Sequence, residues 1–238
     1  MVKAAIFMAL VFIGINSNAQ EILLEQNPGK DTIPSQQGPN LKHYSHMYLG
    51  LGFIVGPSMG AGSAIRYGNS TDFNFGYRYK RKVANFYAVG FDLAYGLTSF
   101  NIKQQIQKTL PNSVLHDNEK INFNHLGALI YNRFNIGKRG NHIGNFIDVA
   151  AYGNWEFAIR HIYNDKNKTP NESNAKLTKV VNKNLTYTNP FNYGLQARIG
   201  LNRYVFYSSY RMSSLFKSRF MYPELPLLTI GMQISLHG

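Results

Sequence analysis

Two of the seven histidines, His125 and His161, stand in segments where apolar and polar residues alternate. A hydrolase of the serine type needs a serine made nucleophilic by a histidine, which a carboxylate or an amide orients. Neither histidine has a serine two residues away, where it would share the same face of a strand. We therefore expect both histidines to be structural or interfacial, and we predict no catalytic residues and no enzymatic activity.

Metal and cofactor sites are equally unsupported by the residue types. The chain has no cysteine, which excludes disulfides, thiolate metal sites and a cysteine-linked lipid anchor. No glycine-rich phosphate loop follows a strand and opens a helix. The other histidines are dispersed among loops and termini without metal-ligand spacing, namely His43, His46, His116, His142 and His237. The sequence predicts no metal and no cofactor.

The elements that position these residues have a hydrophobic period of two, which indicates β-strands with one apolar face. The clearest segment, 86–97, sets six apolar side chains against small residues and Asp92. The register of 121–135 is less regular, and we expect a β-bulge near His125. The pattern predicts eight strands, at 47–55, 72–79, 86–97, 121–135, 146–163, 191–201, 204–212 and 228–236.

The connections between these strands alternate between long and short. In order they are 56–71, 80–85, 98–120, 135–144, 164–189, 202–203 and 213–225. Extended outer loops and tight periplasmic turns are typical of outer-membrane barrels, whereas a soluble β-sandwich has no reason to alternate in this way. We predict an all-β fold, an eight-stranded antiparallel transmembrane up-and-down β-barrel over residues 46–238, with both termini on the periplasmic side.

A barrel of eight strands is just wide enough for side chains to fill it. Its predicted inward faces carry seven charged residues: Arg78, Asp92, Asp148, Glu156, Arg160, Arg198 and Arg211. Charges in a narrow, partly desolvated interior must pair or be hydrated. We predict a charge network that crosses and plugs the lumen; the alternative is a narrow path for ions.

The N-terminus has the features of an export signal. Lys3 supplies a positive start, residues 4–15 form an apolar run too short to span a membrane as a helix, and Ala19 suits a cleavage point. We predict a signal peptide at 1–19. Residues 20–45 are polar, contain three prolines and predict a flexible periplasmic lead-in.

The charge balance indicates an anionic partner. The formal net charge is +13, and an exported protein meets anionic lipopolysaccharide rather than nucleic acid. Five lysines concentrate in the connection 164–189: Lys166, Lys168, Lys176, Lys179 and Lys183. We interpret them as a contact for lipopolysaccharide phosphates or a partner protein; the alternative is a mobile, solvated loop.

The leader ending Asn18-Ala19-Gln20, the eight alternating segments and the closing run Leu225-Pro226-Leu227-Leu228-Thr229-Ile230-Gly231-Met232 resemble the PorT-like outer-membrane β-barrel domain proteins of Bacteroidota. The resemblance covers about 46–238 and implies an eight-stranded barrel in the bacterial outer membrane. One branch of that group serves protein secretion and gliding. The chain departs from other outer-membrane barrels by ending Leu236-His237-Gly238, without a terminal aromatic residue. No catalytic residues carry over.

Together these patterns predict a non-enzymatic outer-membrane barrel with a structural, surface-interaction or secretion-accessory role. Its expected partners are outer-membrane lipid, lipopolysaccharide and a secretion or surface protein, without nucleic acid. Three alternatives stay open: a narrow channel for ions or small solutes, a lipid-A-modifying outer-membrane enzyme, and a soluble periplasmic β-sandwich.

Overall fold

The computed structural model describes residues 35–137, 140, 142–166 and 176–236. The described strands belong to the unit Gln36–Gly238. The predicted signal peptide at 1–19, and the predicted lead-in up to residue 34, lie outside the described residues. Within the described residues there is no α-helix, and no helix has the length and apolar character needed to cross a membrane.

The fold is all-β and contains nine described strands joined in one antiparallel sheet. Their bounds are β1 His43–Val55, β2 Thr71–Lys82, β3 Tyr87–Asn101, β4 Asn118–Ile136, β5 Asn145–Lys166, β6 Leu177–Lys183, β7 Phe191–Leu201, β8 Tyr204–Arg211 and β9 Leu228–Leu236.

Eight of these strands close into a ring. Each strand pairs with the next along the chain, β5 pairs directly with β7, and β9 returns to pair with β1. The eight strands predicted from alternation are thereby confirmed. Strand β6 was not predicted; it lies within the expected loop 164–189 and, among described strands, pairs only with the far end of β5.

The connections fall at two ends of the ring. We call the end with the connections 56–70, 102–117, 167–190 and 212–227 the loop end, and the end with 83–86, 137–144 and 202–203 the turn end. The first strand starts and the last strand ends at the turn end, where Met47 pairs with Leu236. The long and short connections therefore alternate as predicted.

Burial alternates along the strands, because successive side chains point to opposite faces. In β1 the pattern is regular from Met47 to Ile54, with exposed side chains between buried ones. The outward faces carry large apolar side chains on every strand of the ring, and Ile130 is 71% exposed. The inward faces carry the buried polar and charged residues together with aromatic rings.

The expected β-bulge lies opposite His125, but its extra residue belongs to the partner strand. Asn124 pairs with Ala158 and His125 pairs with Glu156, so that Phe157 is the additional residue in β5. Burial in β4 alternates without interruption across this point. In β5 the alternation changes phase at the bulge. Glu156 before it and His161 after it are both buried, although they are an odd number of residues apart and would face opposite sides of a regular strand.

An apolar cluster fills the interior at the loop end. It contains buried residues from the strand ends and from three of the long connections: Ile54, Ile65, Phe100, Ile102, Leu110, Ile121, Phe123, Leu215, Phe216 and Leu225. A smaller group of Ile143, Phe146 and Val205 packs at the turn end, with Tyr44 against it. The charged interior lies between these two apolar layers.

Candidate functional site

The centre of the ring holds five charged side chains whose positions follow from strand register. Arg78 of β2 pairs directly with Asp92 of β3. Asp148 of β5 lies between Arg133 of β4 and Arg198 of β7, because it pairs with both. Residues that pair on one face of a sheet have side chains close enough to interact, so the register alone brings these charges into contact.

The contacts join these side chains into one chain of ion pairs. Arg133 Nε and Asp148 Oδ1 are 2.8 Å apart, and Arg198 Nη2 lies 3.0 Å from Asp148 Oδ2. Arg198 then crosses the ring, since its Nη1 donates to Asp92 Oδ2 at 2.6 Å. Arg78 holds the same carboxylate through Nε and Nη2, at 3.0 and 2.8 Å. We call these five residues the central network.

Aromatic and amide groups complete the surroundings of the central network. Arg78 Nη2 donates to Gln233 Oε1 of β9 at 2.7 Å. Each guanidinium also faces a ring: Arg133 over Phe146 at 3.4 Å, Arg78 over Tyr48 at 4.4 Å and Arg198 over Tyr131 at 4.5 Å. A guanidinium over a ring face is attracted by the ring quadrupole, more strongly when both groups are desolvated.

The central network is almost completely excluded from solvent, with all five residues at most 1% exposed. Three guanidiniums and two carboxylates leave a net charge of +1. A buried charge requires a partner, and here every carboxylate holds two arginines. The interior at this level is therefore filled by side chains.

Glu156 and Arg211, also predicted to face inward, lie in the ring but outside the central network. Glu156 accepts from Asn192 Nδ2 at 3.1 Å, and its Oε2 lies 3.7 Å from His125 Nδ1. Arg211 pairs with Glu224 of the β8–β9 connection at 2.8 Å. All of these except Glu224 line a cavity of about 110 Å³ between the central network and the apolar cluster.

Arg160 was expected in the lumen, and this expectation is wrong. Its side chain is exposed on the outer surface of β5. The extra residue Phe157 shifts the alternation, so that Ile159 packs against the apolar cluster and His161 is buried. Arg160, between these two inward residues, must point outward.

Arg133 belongs to the central network and was missed by the sequence analysis. The inward position of Arg133 could have been inferred from the second half of β4. There the apolar residues Phe134 and Ile136 face outward, so that Arg133 and Tyr131 must face inward. The outward residues Asn122 and Asn124 concealed this regular phase, because polar residues on the expected apolar face suggested a change of register.

A second buried charged group lies at the loop end. Glu119 is fully buried and accepts from Lys108 Nζ, and its Oε1 lies 2.7 Å from His161 Nε2. Asn182 Nδ2 is 3.4 Å from the other ring nitrogen of that histidine. Among the described residues, no serine hydroxyl contacts either His125 or His161.

The predicted basic connection is partly a strand. Lys166 ends β5, while Lys179 and Lys183 lie in β6 next to Lys176; all four side chains are exposed. Within the described part of the chain none of them forms an ion pair. Lys168 lies outside the described residues.

Within residues 35–137, 140, 142–166 and 176–236, no three histidine or carboxylate side chains are grouped as metal ligands. No protein-family model matches the chain, and no curated protein is found to be similar to it.

Proposed function

We propose that this protein is an outer-membrane β-barrel with a sealed lumen, which anchors a surface for interaction at its loop end. The observation that carries the proposal is the inverted distribution of polarity. Apolar side chains cover the outside of all eight ring strands, while the central network of arginines and aspartates is buried inside. A water-soluble sheet that closed on itself would carry its apolar faces inward; a lipid-exposed one carries them outward.

The height of the apolar surface supports the same proposal. Outward residues run from Ile147 to Phe157 on β5 and from Phe191 to Leu201 on β7, ten residue steps in each case. At about 3.4 Å per residue and a tilt of about 40°, ten steps span roughly 26 Å along the axis, against about 25 Å for the apolar band of outer-membrane barrels.

Two layers of packing support the proposed sealed lumen. The central network fills one level, and the apolar cluster fills the level beneath the long connections. The cavity between them, about 110 Å³, is lined by both polar and apolar side chains, and the polar ones suit a few waters. We therefore favour a non-conducting structural or surface-interaction role over a channel.

The surface offered for interaction is the extension built by β4, β5 and β6. These strands continue past the ring at the loop end, where β5 pairs with β6 from Arg160 to Lys166. The extension carries the exposed lysines, which suits an anionic partner: lipopolysaccharide phosphate, or an acidic region of a secretion or surface protein.

Two experiments test this function. Unboiled protein from the membrane fraction should migrate faster on an SDS gel than boiled protein, as a closed barrel does. In planar bilayers the same protein should give no conductance steps. Recovery in the aqueous fraction with an unshifted band would refute the membrane role, whereas steady conductance would refute the sealed lumen.

A further inference from the structure

The wall of the ring has a break in its backbone pairing beside the bulge. β5 pairs with β7 as far as Trp155 opposite Phe191, and with β6 from Arg160 opposite Lys183. Between these points the backbone N–H of Glu156 donates to the carbonyl of Pro190 at 2.7 Å, and residues 157–159 have no partner among the described strands on the side of the connection 184–190. The break forms a recess of about 350 Å³, which we call the basic notch.

Three cations from three separate segments line the basic notch: Arg160 of β5, Lys183 at the end of β6, and Lys217 of the β8–β9 connection. Lys217 is held there because its Nζ donates to the carbonyl of Thr186 at 2.8 Å. The rest of the lining includes apolar side chains, among them Phe157 and Leu185. The recess therefore combines positive charge with apolar surface.

None of the three cations of the basic notch forms an ion pair within the described residues. Arg160 is paired in register with Lys183 on one side and with Asn122 on the other. Like charges directly opposite on neighbouring strands are destabilising. The nearest carboxylate of the lining, Glu156, is only 7% exposed and is held by Asn192 inside the ring. An anion bound from outside would relieve the repulsion.

The position of the notch at the edge of the apolar outer surface favours a lipid headgroup as the anion. From β2 to β6 one register row on the outer surface is polar, and beyond β2 it continues to the exposed Phe53 of β1. Its polar residues are Thr71, Ser99, Asn122, Arg160 and Lys183. Directly below it on β5 are the exposed rings of Phe157 and Trp155, the upper edge of the apolar surface. Because the strands are tilted, the row changes depth around the ring. If the proposed membrane insertion holds, on which this inference rests, its end at Arg160 and Lys183 lies at the depth of lipid headgroups.

We propose that the basic notch binds the phosphate of an anionic lipid headgroup in the leaflet at the loop end. Arg160 supplies planar paired donors that match phosphate oxygens, and Lys183 and Lys217 add point charges from two further directions. Phe157 and Leu185 provide apolar contact for the lipid next to its headgroup. Lys179 of β6 and Lys176, which precedes this strand, do not line the notch and are not part of this site.

The test uses the full chain in phosphatidylcholine nanodiscs, with phosphorylated lipid A as the probe and bound copies counted by native mass spectrometry. The double variant R160A/K183A should bind lipid A about tenfold more weakly or worse, since it loses charge-assisted hydrogen bonds. The matched double variant R66A/K103A removes the same charge from two exposed side chains of other loop-end connections, outside the notch and the extension, and should bind as the wild type does.

The outcomes separate the site from the membrane proposal. A chain that does not enter phosphatidylcholine discs and shows no gel shift overturns the membrane role, and the lipid site with it. A chain that inserts, yet binds lipid A equally in both double variants, overturns the lipid site alone. Displacement of lipid A by millimolar inorganic phosphate would mean that a free anion, and not a lipid headgroup, is the ligand, which also overturns the proposal.

Discussion

Removing Asp148 should destabilise the protein far more than removing Arg133, although each change breaks the same ion pair. The central network has three arginines and two aspartates, so its net charge is +1. The variant D148N raises this charge to +2, leaves the buried Arg133 without a carboxylate and leaves Arg198 with Asp92 alone. The variant R133M lowers the charge to zero, and Asp148 keeps its contact with Arg198 at 3.0 Å.

The expected magnitudes follow from burial. Both residues are at most 1% exposed, and leaving a buried charge without its partner costs about 3–5 kcal/mol. We expect this loss for D148N. For R133M we expect about 1–2 kcal/mol, because methionine still packs on Phe146 and no unpaired charge remains. The control D165N alters a half-exposed carboxylate at the loop end and should cost less than about 1 kcal/mol.

The measurement is urea unfolding of the three variants in phosphatidylcholine vesicles, followed by tryptophan fluorescence and by the gel shift. The two probes must give coincident transitions for the free energies to be compared. Equal losses for D148N and R133M would refute the argument from net charge. A loss for D148N no larger than that for D165N would mean that the interior is hydrated and that the network does not fill it.

Three further outcomes follow from the described packing. G200A should destabilise by about 1–3 kcal/mol on urea unfolding, because the new Cβ would meet the Phe146 ring at 2.1 Å, whereas G153A, with nothing within 4 Å, should not. L195K, in the middle of the apolar surface, should lower the free energy of unfolding in vesicles by about 2–4 kcal/mol, whereas V181K, on the extension, should hardly change it. Equal effects of the two variants would contradict the proposed membrane depth. R198A should give no conductance steps in planar bilayers, because the apolar cluster still fills the ring at the loop end. Regular steps would contradict the sealing role of that cluster.

The strands of the ring could be predicted because each has an outward face that is apolar over many residues. Period-two alternation is a local property of the chain, and it identified all eight ring strands. Strand β6 lacks this signal, since Val180 and Val181 are adjacent and lysines flank them. It becomes a strand through pairing with the projecting end of β5, a tertiary contact that no local pattern contains.

The interior charges could be predicted only as far as the phase of each strand was known. Arg78, Asp92, Asp148 and Arg198 stand in regular segments, and all four are buried where alternation placed them. Which carboxylate holds which arginine depends on register across the ring, and the bond from Arg198 to Asp92 joins strands far apart in sequence. The sequence therefore predicted a set of interior charges but not the chain of contacts among them.

The bulge is the feature hardest to predict from the sequence, because one extra residue changes which side chains after it face inward and which face outward. The polar residues Asn122 and Asn124 make β4 look irregular in sequence, whereas they mark the point where a regular outward face leaves the apolar surface. The extra residue is Phe157 of β5, which itself looks like an ordinary lipid-facing aromatic.

Its effects nevertheless reach both surfaces of the wall. Inside, the changed phase brings His161 to Glu119, where a continued alternation would have placed an arginine in the apolar cluster. Outside, it moves Arg160 beside Lys183, at the place where β5 exchanges β7 for β6 as its partner. A β-bulge that re-aims a side chain and ends a pairing is a feature that selection can retain. The like-charged pair that results is unfavourable for folding alone, which is the physical reason to look for its function in an anion from outside the chain.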